Sequence, residues 1–413
     1  MPGMTARAAH RRRGERPKSL ITLWMNGGMS QLETWDPHPG SRSGGDVKDR
    51  ATSSGNIRIS ELLPQMAEQL HSCMLIRSLT SREGDHERGS AYVKTGYRPE
   101  PTLKYPTLGA IVAHELPDPA IEIPQYVTLA PDRIVPEGGY LGNQWDAFRV
   151  FDPGSGLSNL KSSVSSERQA DRLAGLNVVS QQFEQRRQFG AKRTLHQNTL
   201  DRALTMMSSD QLKAFELHAE TSSVKAAYGD TPFGRGCIVA RRLVEVGVRS
   251  IEVTLPGFDT HVANHSGHVT NCQILDPAIA TLIQDLRERD LLDSTIVLCI
   301  SEFGRTPGIN AAGGRDHWPN WFSCLIAGGG FREATVIGAT PQDVFEGKDS
   351  AGQLRLPSDP VLVPELYATI MAAMGIDFSK EIVTPIGRPM RFADAQPSAR
   401  LLKDEVSRRV IKS

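Results

Sequence analysis

The chain has 413 residues, 39% of them hydrophobic, and its 47 Lys and Arg residues balance 47 Asp and Glu residues. This length and hydrophobic content allow a large buried core, in one α/β domain or in two smaller ones. The balanced charge argues against a protein built mainly to bind nucleic acid or an anionic membrane surface.

The N-terminal segment is basic, with three consecutive arginines at positions 11–13. We expect residues 1–19 to form a disordered basic N-terminus. No apolar signal-peptide segment precedes Leu20, and the sequence predicts no transmembrane segment, which favours a cytoplasmic protein. Export by a missing or trimmed twin-arginine signal is the alternative. The five cysteines are odd in number and far apart, a pattern typical of reduced core cysteines.

Short apolar runs without alternation are typical of strands that are buried on both faces of a parallel sheet. Such runs predict strands at 20–25, 73–77, 249–255, 296–300 and 322–327. Between them, helices are predicted at 60–70, 232–245 and 276–290, and 84–96 has the pattern of a loop that leads into a helix. Strands that alternate with long helices predict an α/β fold with a mainly parallel central sheet covered on both faces.

The segment 153–225 has helical spacing and no strand-like run, so it predicts a helical insertion. We expect a single domain over 20–395 that carries this insertion, followed by a C-terminal tail over 396–413. The sequence does not indicate an oligomeric state.

Carboxylate and imidazole side chains flank two of the predicted strands. Asp259 and His261 follow the strand at 249–255, and Asp316 and His317 precede the strand at 322–327. These side chains suit zinc, iron or manganese. Because ligands bind beyond strand ends in open α/β sheets, we expect the two pairs to meet at one sheet edge. The alternative is a pair of solvated or hydrogen-bonded loops.

Polar residues also follow the strands at 20–25 and 296–300. A carboxylate beyond a buried strand is costly unless it is paired or coordinates a cation, which makes Glu302 a candidate metal ligand. The guanidinium fork of Arg305 suits phosphate or sulfate. An exposed Glu302–Arg305 pair of little consequence is the alternative. Asn26 precedes two glycines that let a backbone approach a ligand, or that form a plain tight turn.

His86 stands where the predicted helix of 84–96 begins. The amides of a helix N-terminus favour anions, and imidazole is a common metal ligand, so His86 is a candidate site residue. The alternative is that Asp85 caps the helix and His86 faces solvent.

Longer motifs resemble known families. The segment 275–304 resembles the sulfatase pattern of a long helix followed by a strand, and 86–96 resembles the sulfatase nucleophile helix. The segment 317–330 is similar to the end of the alkaline phosphatase pattern. Across nearly the whole chain, the motifs GGMSQLETWDP, RRLVEVGVRSIEV, GFDTH, SEFGRTP and GRDHWP resemble the family called domain of unknown function 1501, a sulfatase-like branch of the alkaline phosphatase superfamily. The resemblance implies an alkaline phosphatase-like three-layer sandwich.

The resemblance implies that Asp259, His261 and His317 hold one metal ion. Glu302 stands where a second metal takes an Asp, but Phe303 replaces the following His ligand. Asn26 likewise replaces the Asp that ends the first strand, so the second metal lacks two of its usual ligands.

The nucleophile departs further from the pattern. His86 stands where sulfatases have the Cys that becomes formylglycine, which excludes ordinary formylglycine chemistry. His86 is then a further metal ligand or a nucleophile that forms a phosphohistidine.

These observations predict a metal-dependent hydrolase-like protein that acts on a small anionic phosphate or sulfate ester without the usual Cys or Ser nucleophile. Its cofactor would be a divalent metal, zinc or else iron or manganese, that polarises an ester oxygen or activates water. The predicted roles are metal ligation by Asp259, His261, Glu302, Asp316 and His317, catalysis by His86 and Arg305, and substrate binding by Asn26 and Arg305. One alternative is a catalytically degraded binding or assembly protein of the same fold. Another is a mutase-like enzyme, which would need Ser81 or Ser90.

Overall fold

The computed structural model describes residues 18–131, 134–158, 160, 162–185, 195–345, 347–349 and 351–410. Most of the predicted basic N-terminus, residues 1–17, lies outside this part of the chain, as do the last three residues.

The described residues form fifteen strands. In chain order they are β1 (Ser19–Met25), β2 (Asp49–Ala51), β3 (Arg58–Ser60), β4 (Cys73–Thr80), β5 (Tyr126–Leu129), β6 (Phe148–Val150), β7 (Ser250–Leu255), β8 (Thr295–Ile300), β9 (Gly304–Arg305), β10 (His317–Trp318), β11 (Phe322–Gly328), β12 (Thr335–Ile337), β13 (Val361–Leu362), β14 (Glu381–Val383) and β15 (Pro389–Arg391).

Nine of these described strands form the central sheet, in the order β12-β4-β11-β8-β1-β7-β5-β6, with β13 also paired to β4. The strands are parallel except for β11, which runs antiparallel to both β4 and β8. All five predicted strands lie in this sheet, which confirms the prediction of one mainly parallel sheet. The reversal of β11 was not predicted, because an apolar run indicates burial and carries no information about direction.

The described part of the chain also contains ten α-helices. They are α1 (Pro64–Gln69), α2 (His86–Thr95), α3 (Leu108–Glu115), α4 (Ser166–Gln185), α5 (Leu195–Met207), α6 (Ser222–Tyr228), α7 (Pro232–Val246), α8 (Asn264–Glu288), α9 (Val363–Met374) and α10 (Asp404–Val410). None of these described helices combines the length and apolar character that a membrane span needs.

Alternate residues of β1 pack against different helices. Ile21 and Leu23 belong to the core with α7 and α8, whereas Leu20 and Trp24 belong to the core with α2, α3 and α9. Both faces of the sheet are therefore covered, which confirms the predicted three-layer α/β class. The five cysteines are buried and unpaired, as their spacing predicts.

The helix predicted at 276–290 begins earlier, at Asn264, and continues through Pro277. The Asp276-Pro277 pair looks like a helix start, since Asp favours the N-cap and Pro the first helical position. In the structure Asp276 caps a different helix. Its carboxylate accepts hydrogen bonds from the backbone N–H groups of Gln65 and Met66, at 2.9 and 2.8 Å, in the first turn of α1.

Helices α4 and α5 lie inside the predicted insertion of 153–225. At the other end of the chain, Leu401, Leu402 and Val406 are buried. Residues beyond 395 therefore pack onto the rest of the molecule, and the predicted domain end at 395 does not coincide with a break in packing.

Candidate metal centre

The predicted site residues collect at one edge of the central sheet. Strands β1, β7 and β8 are parallel, so Asn26, Asp259 and Glu302, which follow them, emerge at the same edge. Strand β4 has the same direction and leads to His86 at the start of α2. Because β11 runs the other way, His317, which precedes it, also reaches this edge.

Three imidazole rings converge on Asp259. His86 Nε2 lies 3.3 Å from Asp259 Oδ2, and His261 Nε2 and His317 Nε2 lie 3.1 and 3.4 Å from Asp259 Oδ1. The last two nitrogens are 3.0 Å from each other. His86, Asp259 and His317 offer ligand atoms that are all within 4.8 Å of one another. The structure thus brings together the predicted ligands Asp259, His261 and His317, and His86, predicted as a further ligand or a nucleophile, lies with them.

The Nδ1 atom of each of the three rings is hydrogen-bonded to an oxygen atom of the protein. His86 Nδ1 lies 2.8 Å from Glu302 Oε1, His261 Nδ1 lies 2.7 Å from Asp316 Oδ1, and His317 Nδ1 lies 2.7 Å from the carbonyl oxygen of Gly84. Carboxylate and carbonyl oxygens only accept, so each Nδ1 donates and each Nε2 carries the lone pair in the neutral ring. This arrangement is typical of histidines that bind a metal through Nε2.

The Nε2 atoms lack suitable partners in the protein. Two lone pairs that face each other at 3.0 Å, as in His261 and His317, repel unless a proton or a cation lies between them. Within the described residues, His86 Nε2 is buried and makes no hydrogen bond. The hydrogen bond that His86 donates to Glu302 raises the pKa of His86, whereas burial lowers the pKa of His317 and favours its neutral form.

Glu302 is fully buried and its two oxygens are engaged. Oε1 accepts from His86 and from the Gly27 N–H at 2.9 Å, and Oε2 accepts from Ser301 Oγ at 3.1 Å. Gly27 has φ +112°, and a Cβ there would collide with the backbone of Asp259, so glycine is required. Glu302 and Asp316, the other two predicted ligands, therefore contact the Nδ1 atoms of His86 and His261.

Arg305, which was predicted to bind a substrate anion, makes its hydrogen bonds within the protein. Its side chain is fully buried, and its guanidinium donates to the carbonyl oxygens of Gly27, Gly28 and Arg315 and, at 2.7 Å, to Asp259 Oδ1. Burial raises the pKa of Asp259, but the bond and charge of Arg305 outweigh it and hold that pKa at about 2. Arg305 thus fixes an ionised Asp259.

Phe303 is fully buried beneath two of the rings. Its ring centroid lies 5.1 Å from that of His86 and 4.4 Å from that of His317. It supplies an apolar wall where the resemblance places a further ligand. Asn26, the predicted substrate-binding residue, lies at the same edge and its Oδ1 accepts from Trp24 Nε1 at 3.2 Å.

The start of α2 combines the cap expected of Asp85 with a site position for His86. Asp85 caps the helix by accepting from the backbone N–H groups of Glu87 and Arg88, while the His86 ring turns toward Asp259. Ser81 and Ser90, which a mutase-like enzyme would need, are both buried.

No role was predicted for Glu33 or Arg315, which form a buried ion pair at 3.0 Å behind the centre. The sequence shows a charged residue, Arg315, next to Asp316. It does not indicate that the partner of Arg315 is Glu33, nearly three hundred positions earlier.

Comparisons with solved structures find distant likenesses. They include the lipoteichoic acid synthase LtaP from Listeria monocytogenes (8% identity over 94% of this chain and 76% of that one, TM-score 0.39). They also include the PsFucS1 sulfatase from Pseudoalteromonas sp. (10% identity, 90% and 70%, TM-score 0.40) and an alkaline phosphatase from the Antarctic bacterium TAB5 (12% identity, 88% and 99%, TM-score 0.38). Likenesses this remote assign neither an activity nor a residue's role.

No curated protein matches the sequence. The family described as "Protein of unknown function (DUF1501)" matches residues 17–404, and the chain therefore belongs to that family.

Proposed function

We propose that the protein holds one divalent metal ion on His86, Asp259, His261 and His317 and uses it to hydrolyse a phosphate or sulfate ester. The observation that carries this proposal is the convergence of three Nε2 atoms on one carboxylate, each ring held through Nδ1.

The spacing of the donor atoms fits a small cation. Two ligands with bonds of about 2.0 Å and a tetrahedral angle lie about 3.3 Å apart. The separations of the Nε2 atoms from Asp259, and of His261 Nε2 from His317 Nε2, range from 3.0 to 3.4 Å. Zinc accepts this donor set, and iron or manganese are the alternatives.

The local charge supports the same proposal. Asp259, Glu302 and Asp316 carry three formal negative charges, and Arg305 lies in direct contact with the first of them. With neutral imidazoles, three carboxylates against one guanidinium leave two negative charges, which a divalent cation would neutralise. The guanidinium lies 2.7 Å from Asp259 Oδ1, and the charge that remains after this pairing corresponds to one divalent ion.

The residues around the centre would orient its histidine ligands and leave one side open to the substrate. Glu302 and Asp316 fix the rings of His86 and His261, and Phe303 keeps water from the inner side. The side chains of His261 and Asp316 are 43 and 56% exposed, so an ester approaches from their side. A bound divalent ion polarises an ester oxygen and lowers the pKa of a water molecule. We assign His86 to ligation and not to a phosphohistidine, because its Nε2 is directed at Asp259.

The test is elemental analysis of protein purified without chelators, followed by ester assays with the metal found. We expect about one transition metal per chain, and hydrolysis of p-nitrophenyl phosphate, bis-p-nitrophenyl phosphate or p-nitrocatechol sulfate that His317→Ala abolishes. A protein that carries and binds no metal would support the binding or assembly alternative. Stoichiometric metal with no turnover of any ester would leave the centre standing and remove the hydrolase assignment.

A further inference from the structure

We infer that Glu33 is a positioning residue for the metal centre: through Arg315 it fixes the backbone that presents Asp316 and His317. This inference rests on the proposed function, because it is the metal site that Glu33 would position.

Arg315 joins several segments through its fully buried side chain. The guanidinium donates to the carbonyl oxygens of Thr306 at 3.0 Å, Pro307 at 2.6 Å and Ser43 at 2.8 Å, and it pairs with Glu33 Oε1 at 3.0 Å. It therefore ties the loop after β1 and the segment after β9 to the residue that immediately precedes Asp316.

The backbone of Arg315 reaches the other half of the centre. Its N–H donates to the carbonyl oxygen of Thr260 at 3.1 Å, between Asp259 and His261. Its carbonyl oxygen accepts from Arg305 Nη1 at 2.9 Å, and Arg305 holds Asp259. The position of residue 315 thus sets how far His317 lies from Asp259.

Glu33 supplies the charge that keeps this arginine in place. It is 2% exposed, and its second oxygen accepts from Ser30 Oγ. Burial raises the pKa of Glu33, but Arg315 and His268 outweigh it and hold that pKa below its ordinary value, so Glu33 remains charged. Its side-chain hydrogen bonds among the described residues are with Arg315, Ser30 and Asn264, and not with the four proposed ligands.

Loss of the Glu33 charge should weaken metal binding by displacing residues of the metal centre. A buried guanidinium without its carboxylate is strongly disfavoured, so Arg315 would shift toward water or another acceptor and carry residues 315–317 with it. Metal ligands must stay within about 0.5 Å of their productive positions. Removing groups that hold ligands typically weakens metal binding about 10- to 100-fold.

The test is a Co²⁺ titration of the full chain, followed by the visible absorption band of the bound ion. We expect Glu33→Gln to bind Co²⁺ about 10- to 100-fold more weakly than the parent and with an altered band. The matched control is Asp36→Asn. Asp36 lies in the same loop and, like Glu33, is buried. It pairs with Arg77 at 3.1 Å, and its described contacts do not include Arg315.

The control separates positioning from stability. Asp36→Asn should lower the melting temperature and keep the parent's Co²⁺ affinity and spectrum. If Glu33→Gln also keeps both, the inference is overturned. Should Glu33→Gln fail to fold, Arg315→Lys decides, because lysine keeps the charge but cannot reach all three carbonyl oxygens. We expect at least about 10-fold weaker binding for that variant, and parent-like binding would overturn the inference. A parent that binds no Co²⁺ overturns the metal centre itself and this inference with it.

Discussion

Replacement of His86 by alanine separates a metal ligand from a merely structural histidine. The His86 side chain is 33% exposed, bonds to Glu302 at 2.8 Å and packs on Phe303. If its Nε2 binds the metal, His86→Ala should weaken metal binding by at least about 100-fold, beyond the range typical of groups that only hold ligands.

The size of the effect follows from the linkage between binding and unfolding. Free metal at 100 times Kd stabilises the folded parent by about 2.7 kcal/mol. A chain of 413 residues has an unfolding entropy of about 0.9 kcal/mol/K, so the metal should raise Tm by about 3 °C. At the same metal concentration a variant with 100-fold weaker binding gains about 0.4 kcal/mol, which is about 0.5 °C.

His114→Ala is the matched control for this measurement. The His114 side chain is 28% exposed, bonds to Glu115 at 2.7 Å and lies 5.0 Å from the Trp145 ring, away from the centre. Without metal, each variant loses one part-exposed charged hydrogen bond, at a cost of about 1 kcal/mol. Differential scanning calorimetry without added Zn²⁺ gives the Tm of each variant, and a second scan with Zn²⁺ gives its metal-induced rise. A metal-induced Tm rise in His86→Ala as large as in His114→Ala would refute the assignment of His86 as a ligand.

Two further predictions concern stability. Asp276→Ala leaves two backbone donors of α1 without their acceptor and should lower the free energy of unfolding by about 2 kcal/mol in urea, without changing the metal-induced Tm rise. An unchanged urea midpoint would contradict this. Burial raises the pKa of Asp36, but the His38 hydrogen bond and the charge of Arg77 outweigh it and hold that pKa below 3.8. The unfolded chain therefore binds this proton first, so the stabilisation is present above about pH 4 and is lost below it. Between pH 6 and pH 2 the free energy of unfolding should fall less in Asp36→Asn than in the parent, and equal slopes would contradict the prediction.

Long apolar runs made most of the sheet predictable. A strand that is buried on both faces, such as β8, is apolar at nearly every position, and this pattern can be recognised in the sequence alone. Short strands such as β5 and β12 carry too few residues for a pattern, so they were not predicted. The start of α8 was misplaced because Asp276 is a residue type that favours the N-cap. In the structure it caps α1, and this depends on tertiary contacts that the sequence does not reveal.

The candidate site was predictable in its composition and less so in its roles. Parallel strands bring the residues at their carboxyl ends to one edge, so the proximity of Asp259 and Glu302 could be inferred from order along the chain. A carboxylate at this edge could bind a metal directly, or it could accept a hydrogen bond from a histidine that binds one. The choice depends on which side-chain atoms lie next to the carboxylate oxygens, and the sequence does not give these positions. The hydrogen bonds from His86 and His261 to Glu302 and Asp316 underlie the roles that we propose for these two carboxylates.

The two buried arginines bear on how an anionic substrate would bind. Arg305 and Arg315 both stand in motifs where a guanidinium could be taken for an anion receptor, yet both are fully buried and bonded to carbonyl oxygens and to Asp259 or Glu33. If Arg315 turned to a ligand it would leave the buried Glu33 unpaired, which is strongly unfavourable. If Arg305 did so it would leave the carbonyl oxygens of Gly27, Gly28 and Arg315 without their donor. The metal ion itself is then the proposed cation that meets the ester. Removal of the metal should therefore abolish binding of the substrate anion together with its turnover.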